Sequence, residues 1–301
     1  MDALISTTPT IEIVQAPGTL AGLAAVLKAT RKKPGRIESL PPVCYLRRTV
    51  RLKAKGIAAY AKVCGYQPTQ GVPLLYPQML TFPLAMAYFA SDYCPWPALG
   101  TVHLANRVHQ HAPLQVDDVL CVEMRPGLLQ AHEKGQVFTL EFKIWKNQAL
   151  VWEATQTLLR LGVADPSGER YVSALHNEQP LSMQASFMAD AGIGRRYGLV
   201  SGDLNPIHLS ALSAKLFGFR RAIAHGMWTQ ARALAAMLPR QRLAQAEVWV
   251  EFKTPLFLPA LATLWSTSEI QGAMPHNALF EVRSAKGDKP HLRANLSYTL
   301  G

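Results

Sequence analysis

Asp203 and His208 stand five positions apart in the stretch Tyr197-Gly-Leu-Val-Ser-Gly-Asp-Leu-Asn-Pro-Ile-His208. A carboxylate and an imidazole aimed at one point can work as a general acid–base pair. Between them, Asn205-Pro206 interrupts regular structure, because proline fixes its own φ and keeps the preceding residue out of the helical region. The stretch is therefore a shaped loop, which can turn two side chains at an odd spacing to one side where a strand would not. On spacing alone, a capping aspartate beside a surface histidine is an equally good reading. Seventeen residues after His208, an apolar run opens with His225-Gly226-Met227-Trp228. If Gly226 begins a buried helix, its unpaired N–H groups and the helix dipole suit a carbonyl oxygen gaining negative charge, as in an enolate. Close helix–strand packing is the other use of a glycine there.

These pieces need a scaffold, and the pattern predicts the same one twice. In the first half a strand is predicted over Cys44–Leu52 and a helix over Lys53–Val63. The apolar run Tyr76–Ala90 has helical spacing, and strands follow over Thr101–Val108, Val119–Leu129, Gln136–Trp145 and Ala149–Leu161. In the second half a strand near Met183–Phe187 leads into a helix reaching Tyr197. A short helix is predicted around Ser210–Phe217 and a longer one over Ala222–Leu238. Strands follow near Ala246–Thr254, Ala260–Ile270, Ala278–Ser284 and His291–Thr299. This order, a strand, helices and then consecutive strands, predicts an α+β fold with an antiparallel sheet packed on a long helix in each half.

The halves also align residue by residue. Tyr60-Ala-Lys-Val-Cys-Gly65 matches Tyr197-Gly-Leu-Val-Ser-Gly202 at an offset of 137. Pro73–Met79 matches Arg221–Met227 at 148, and Ala112-Pro-Leu matches Thr254-Pro-Leu at 142. A weak similarity that recurs in the same order is the mark of an old duplication. Tyr66 stands where the second copy has Asp203, nothing answers to His208, and Pro77-Gln78 replaces His225-Gly226. One active site per chain is therefore expected, in the second half. The expected division is an N-terminal extension at 1–39, a degenerate domain at 40–164, a linker at 165–182 and a catalytic domain at 183–301. A short helix over Leu20–Ala29 is expected within the extension.

The chain has 301 residues, of which 49% are hydrophobic and 17% charged, ordinary values for a globular protein with a full core. Its formal charge of +11 divides as +8 over residues 1–62, −3 over 63–182 and +6 over 183–301. A basic surface suits a phosphate-bearing ligand, although a solvated face is the commoner meaning of such charge. No zinc finger, RNP-type aromatic motif or heptad array accompanies it, so a nucleic-acid partner is not expected. The longest uncharged run, Pro73–Ser91, contains three prolines, which reads as a buried helix rather than a membrane span. Four scattered cysteines with no C-x-x-C pair, and no signal peptide, predict reduced thiols, no metal site and a cytoplasmic location.

Ser201-Gly-Asp-Leu-Asn-Pro-Ile-His208, with Gly218-Phe and Ile223-Ala-His-Gly-Met227 after it, resembles the signature of MaoC-like (R)-specific enoyl-CoA hydratases. Glu251-Phe-Lys-Thr-Pro-Leu-Phe257 resembles the sheet segment that follows it in that family. The first half resembles the degenerate copy in double hot dog members, including (R)-3-hydroxyacyl-thioester dehydratases. The resemblance implies a double hot dog fold: two antiparallel sheets, each wrapped round a central helix and packed as a pseudo-dimer. It implies a hydro-lyase of fatty acid metabolism that interconverts trans-2-enoyl and (R)-3-hydroxyacyl thioesters without a metal or redox cofactor. Asp203 and His208 would act together on the water and the α-proton, the Gly226 N–H would bind the thioester oxygen, and Asn205 would hold the loop or orient water. Ser201 and His225 complete the expected substrate contacts. The substrate would be an acyl-CoA or acyl-ACP, and Arg220, Arg221 and Lys253 could meet its phosphates. Leu234 replaces a serine that some members carry eight residues after the glycine. Either a monomer or a homodimer is compatible. The rival readings are an acyl-thioester-binding protein without chemistry and a hot dog thioesterase.

Overall fold

The computed structural model describes residues 8–14, 32–33, 35–176, 178–267 and 276–301. The helix expected over 20–29 lies outside them. Chain order in the first half is β1 (Thr10–Glu12), β2 (Cys44–Arg51), α1 (Ala54–Cys64), α2 (Pro77–Ala90), β3 (Thr101–Gln110), β4 (Val119–His132), β5 (Gly135–Lys146) and β6 (Ala149–Leu161). A two-residue strand, β7 (Glu169–Arg170), precedes the second half. There the order is β8 (Ser182–Ala189), α3 (Ile193–Ser201), α4 (Pro206–Leu209), α5 (Ala211–Lys215), α6 (Gly226–Met237), β9 (Leu243–Phe252), β10 (Ala260–Ser266), β11 (His276–Ser284) and β12 (Pro290–Leu300).

The strands form one sheet in the order β1-β2-β4-β5-β6-β3-β9-β12-β11-β10-β8, with β7 beside β4. Outward from the centre, one side reads β3, β6, β5, β4, β2 and the other β9, β12, β11, β10, β8. The two sheets expected from the sequence are thus joined edge to edge, with β3 antiparallel to β9. Arg107 pairs with Trp249, and the two also correspond at the offset of 142. A pseudo-two-fold axis therefore passes between them. Away from the sheet, Tyr60 touches its own counterpart Tyr197, with ring centroids 6.1 Å apart. Gly65 and Gly202, matched by the same repeat, end α1 and α3 as left-handed caps with φ of 82° and 83°.

Helices α2 and α6 carry apolar residues around much of their circumference because each lies against its half of the sheet. Leu84 and Tyr88 of α2, and Trp228, Leu234 and Met237 of α6, belong to one buried cluster with the inward residues of the strands. No helix among the described residues is long and apolar enough to cross a membrane, and the Pro73–Ser91 run supplies α2.

The connecting segments add detail, and one expected boundary needs correction. Residues 10–12 extend the sheet at its edge, in parallel with β2. The 165–182 linker is tethered to the sheet. The Ser167 hydroxyl donates to the Ile37 carbonyl, and the buried Glu251 carboxylate accepts from Ser173 Oγ at 2.6 Å and from the Ala174 N–H at 2.7 Å. The long helix begins at Gly226, not Ala222. Residues 222–224 are extended, with Leu258 N–H donating to the Ala222 carbonyl and Ala224 N–H to the Leu256 carbonyl.

Candidate active site

Three glycines at fourth-residue spacing, Gly194, Gly198 and Gly202, let the Asp203–His208 loop fold back onto α3. A Cβ on Gly194 would lie 1.9 Å from the His208 carbonyl oxygen, and one on Gly198 would lie 2.8 Å from that of Asp203. Neither approach is open to a residue with a side chain. The loop is then fixed from within. Ser201 Oγ accepts from the Asp203 N–H at 3.2 Å, and Asp203 Oδ1 accepts from the Asn205 N–H at 3.1 Å. Asn205 Oδ1 accepts from the Ile207 N–H at 3.3 Å and caps α4, whose first residue is Pro206. Ser201 and Asn205 thus shape the loop.

His208 is buried, and its Nδ1 lies 2.8 Å from the Ile223 carbonyl. A carbonyl only accepts, so Nδ1 carries the proton and Nε2 presents a lone pair. Burial holds the His208 pKa below the usual imidazole value, opposed by the Asp203 charge and the Ile223 carbonyl. The imidazole is accordingly neutral, and basic at one defined nitrogen. Asp203 is the more open partner, with its side chain 36% exposed.

His225 stacks on His208 with centroids 3.7 Å apart and planes inclined by 25°, and its other side meets Tyr197 at 4.9 Å. Its Nε2 donates to the Asp203 backbone carbonyl at 3.0 Å. Burial, and then the neighbouring His208, push its pKa down to about 4. The sequence reading placed His225 against substrate; the geometry instead gives it a supporting place, holding the Asp203 backbone and the plane of His208. Asp203, His208 and His225 bring one ligand atom each within 4.8 Å of one another. Of these, His225 Nε2 is already donating to the Asp203 carbonyl.

Gly226 is the first residue of α6, and a Cβ on it would stand 2.9 Å from the Phe252 ring. The glycine therefore serves close packing, and the same packing brings an open helix end beside the Asp203–His208 loop. The Gly226 N–H has no acceptor among the described residues. The corresponding end of α2 is closed. Pro77 has no N–H, the Gln78 N–H donates to the Leu75 carbonyl at 3.1 Å, and the Met79 N–H donates to the Tyr76 carbonyl at 2.9 Å. Tyr66, at the position of Asp203, is buried.

Arg220 and Arg221 are exposed, and the Arg221 guanidinium lies over the Phe257 ring at 5.6 Å. Lys253 does not match its expected role. Its Nζ is 2.5 Å from Glu251 Oε2 and 2.6 Å from Ser173 Oγ, so its charge is spent inside the protein. Three residues to which sequence reasoning gave no individual role border the site. Gly194 and Gly198 seat the loop, and Phe252 packs over Gly226. The glycines left a legible signal in their fourth-residue spacing on a predicted helix.

Comparison with known proteins gives the relatives of this chain. The profile of the MaoC like domain matches residues 175–259. The 3-hydroxyacyl-thioester dehydratase X of Mycobacterium tuberculosis is 32% identical over 279 residues, covering 92% of this chain and 94% of that protein. The crystal structure of HtdX from the same organism superposes with a TM-score of 0.68 at 30% identity, covering 84% of this chain and 98% of that one. A further M. tuberculosis protein, described as having a double hotdog fold, superposes with a TM-score of 0.55 at 13% identity, covering 84% and 94%.

Proposed function

From its place in the MaoC-like dehydratase family, to which this double hot dog hydro-lyase belongs, we infer that the chain interconverts trans-2-enoyl and (R)-3-hydroxyacyl thioesters at the Asp203–His208 pair. The observation that carries this reading is the asymmetry between the two repeats. The second alone combines a carboxylate, a neutral imidazole with a free Nε2 and an open helix N-terminus.

In hydration, the pair holds a water against C3 of the enoyl group and removes a proton as the C3–O bond forms. The π electrons move towards the thioester, whose oxygen gains charge as an enolate. The Gly226 N–H and the positive end of α6 stabilise that oxygen. The pair then returns a proton to C2, so that one water has been added across the double bond. Dehydration is the same path reversed. The thioester acidifies C2, the side chains of the pair carry the protons, and a backbone N–H holds the oxygen.

Coenzyme A and acyl carrier protein both present such thioesters. The exposed Arg220 and Arg221 are the candidate contacts for a phosphate on either carrier. The test is ultraviolet-monitored hydration of crotonyl-CoA and longer trans-2-enoyl-CoA substrates, with chiral analysis of the product, for the wild type and Asp203→Asn. The expected product is the (R)-alcohol, formed by the wild type and nearly abolished in the variant. Release of free thiol would turn the reading towards a thioesterase, and activity indifferent to the substitution would overturn it.

A further inference from the structure

We propose that His109, His111 and Glu153 form a binding site for a divalent transition-metal ion of the zinc type, on the solvent side of the sheet in the N-terminal repeat. The scattered cysteines predict no metal site, whereas the fold brings two histidines and a glutamate together from separate segments. The inference stands apart from the thioester chemistry.

The end of β3 alternates, with Val108 and Gln110 buried and Arg107 and His109 on the solvent side. His111, just past the strand, is anchored by its backbone to both neighbouring strands. Its N–H donates to the Val151 carbonyl of β6 at 2.9 Å, and its carbonyl accepts from Gln245 Nε2 of β9 at 3.4 Å. Glu153 of β6 is the direct cross-strand partner of His109. The two imidazoles lie with centroids 3.9 Å apart, and His111 Nε2 is 3.0 Å from Glu153 Oε1. One ligand atom from each of the three residues falls within 4.8 Å of the others.

Ligand atoms about 2.0–2.1 Å from a tetrahedral zinc ion stand roughly 3.3–3.4 Å from one another. Movements of at most roughly 1.5 Å at the side-chain tips therefore close the set around an ion. Two imidazoles and a carboxylate suit zinc, and the carboxylate offsets half of the ion's charge. The ion takes the place of the proton that His111 and Glu153 share, and water fills the remaining position. The second repeat supplies a contrast. At the offset of 142, Glu251 and Lys253 stand where the first repeat has His109 and His111, and Arg293, the β12 partner of Glu251, stands where it has Glu153. There Lys253 closes on the Glu251 carboxylate at 2.5 Å, beneath Ser173 of the linker. The first repeat has no such fixed cation. Arg107 is bonded to Glu247 at 2.6 Å, Lys143 opposite Glu153 on β5 is exposed, and among the described residues Glu153 has its ion pair with His111. A bound ion fills the part that Lys253 plays in the second repeat.

The test is a zinc titration of the full chain, first stripped of metal, in competition with a chromophoric chelator at neutral pH. The wild type should bind zinc with a Kd on the order of 1 µM, and zinc should raise its thermal midpoint. His109→Phe and His111→Phe keep a ring and remove the ligand nitrogen. Each should weaken binding at least about tenfold and cancel the thermal shift. Glu153→Gln, which can still hydrogen-bond His111, is the mildest change and should weaken binding as well. Thermal midpoints without metal separate lost binding from lost fold. Asp203→Asn tests the other ligand group among the described residues, Asp203, His208 and His225, and should leave the affinity as it is. A wild-type Kd above about 100 µM means adventitious binding only and overturns the proposal. So does binding that survives both histidine substitutions, or that is lost in Asp203→Asn instead.

Discussion

Gly226→Ala adds a single methyl group where packing and chemistry meet. The new Cβ would stand 2.9 Å from two carbons of the Phe252 ring, against 3.4–4 Å for ordinary contact. Ring and helix end must therefore separate by roughly 0.5–1 Å, which moves the Gly226 N–H by a comparable amount. A misplacement of about 1 Å can cost on the order of 100-fold in rate, and loss of one oxyanion donor about 100- to 1,000-fold. The expected effect is a fall in kcat of about 100-fold, or roughly 2.7 kcal/mol, with little change in KM. Overpacking costs about 1–3 kcal/mol of stability, offset by up to about 1 kcal/mol of helix propensity, so the variant should remain folded. Hydration of crotonyl-CoA by Gly226→Ala, Phe252→Leu and the double variant separates the terms. If displacement is the cause, the shorter leucine should recover much of the rate in the double variant. Gly226→Ala activity within about threefold of wild type would refute the role given to the helix end.

Asp203→Asn and His208→Gln should each lower kcat by at least about 100-fold with a near-native thermal midpoint, read by steady-state kinetics and circular dichroism. The acid limb of kcat/KM should fall below the usual imidazole range, because burial lowers the His208 pKa and the neutral form is the base; a limb above pH 6.5 would contradict this. His103 and His225 are held near pKa 4 in the fold and rise to about 6.5 on unfolding, so the unfolded chain binds more protons between these values. Stability should be full above about pH 6.5 and fall as pH drops towards 4, by up to about 3 kcal/mol for each histidine, as measured by urea melts across that range. Lys253→Met strands the Glu251 charge at 2% exposure and should cost about 3 kcal/mol, whereas the same substitution made with Glu251→Leu should cost less. Gly198→Ala should destabilise the loop and reduce activity, since its Cβ would meet the Asp203 carbonyl oxygen at 2.8 Å.

Much of the scaffold was readable because the repeat supplied a second view of each element. Helix α1 was expected over Lys53–Val63 and runs Ala54–Cys64, and the glycine that ends it has a counterpart ending α3. The start of α6 was misread at Ala222 because Ala-Ile-Ala fits helical periodicity, whereas pairing of Ala222–Ala224 with 256–258 is a long-range event. The Asp203–His208 loop declared itself through Asn205-Pro206. What stayed hidden depended on distance in the chain. Nothing near Lys253 announces that Ser173 and Glu251 will take its charge, and no local pattern shows that a bulge at Leu104 turns His103 inward.

The β3–β9 seam has a consequence beyond geometry. Each repeat, taken alone, would end in a strand whose N–H and C=O groups face solvent, an invitation to pair with any other chain. In one polypeptide the complementary edge is always at hand, at an effective concentration set by the tether rather than by the cell. The N-terminal repeat, which has no acid, imidazole or open helix end at the matching positions, supplies that edge all the same. What that half contributes is the completion of a sheet, a service that needs no reactive side chain.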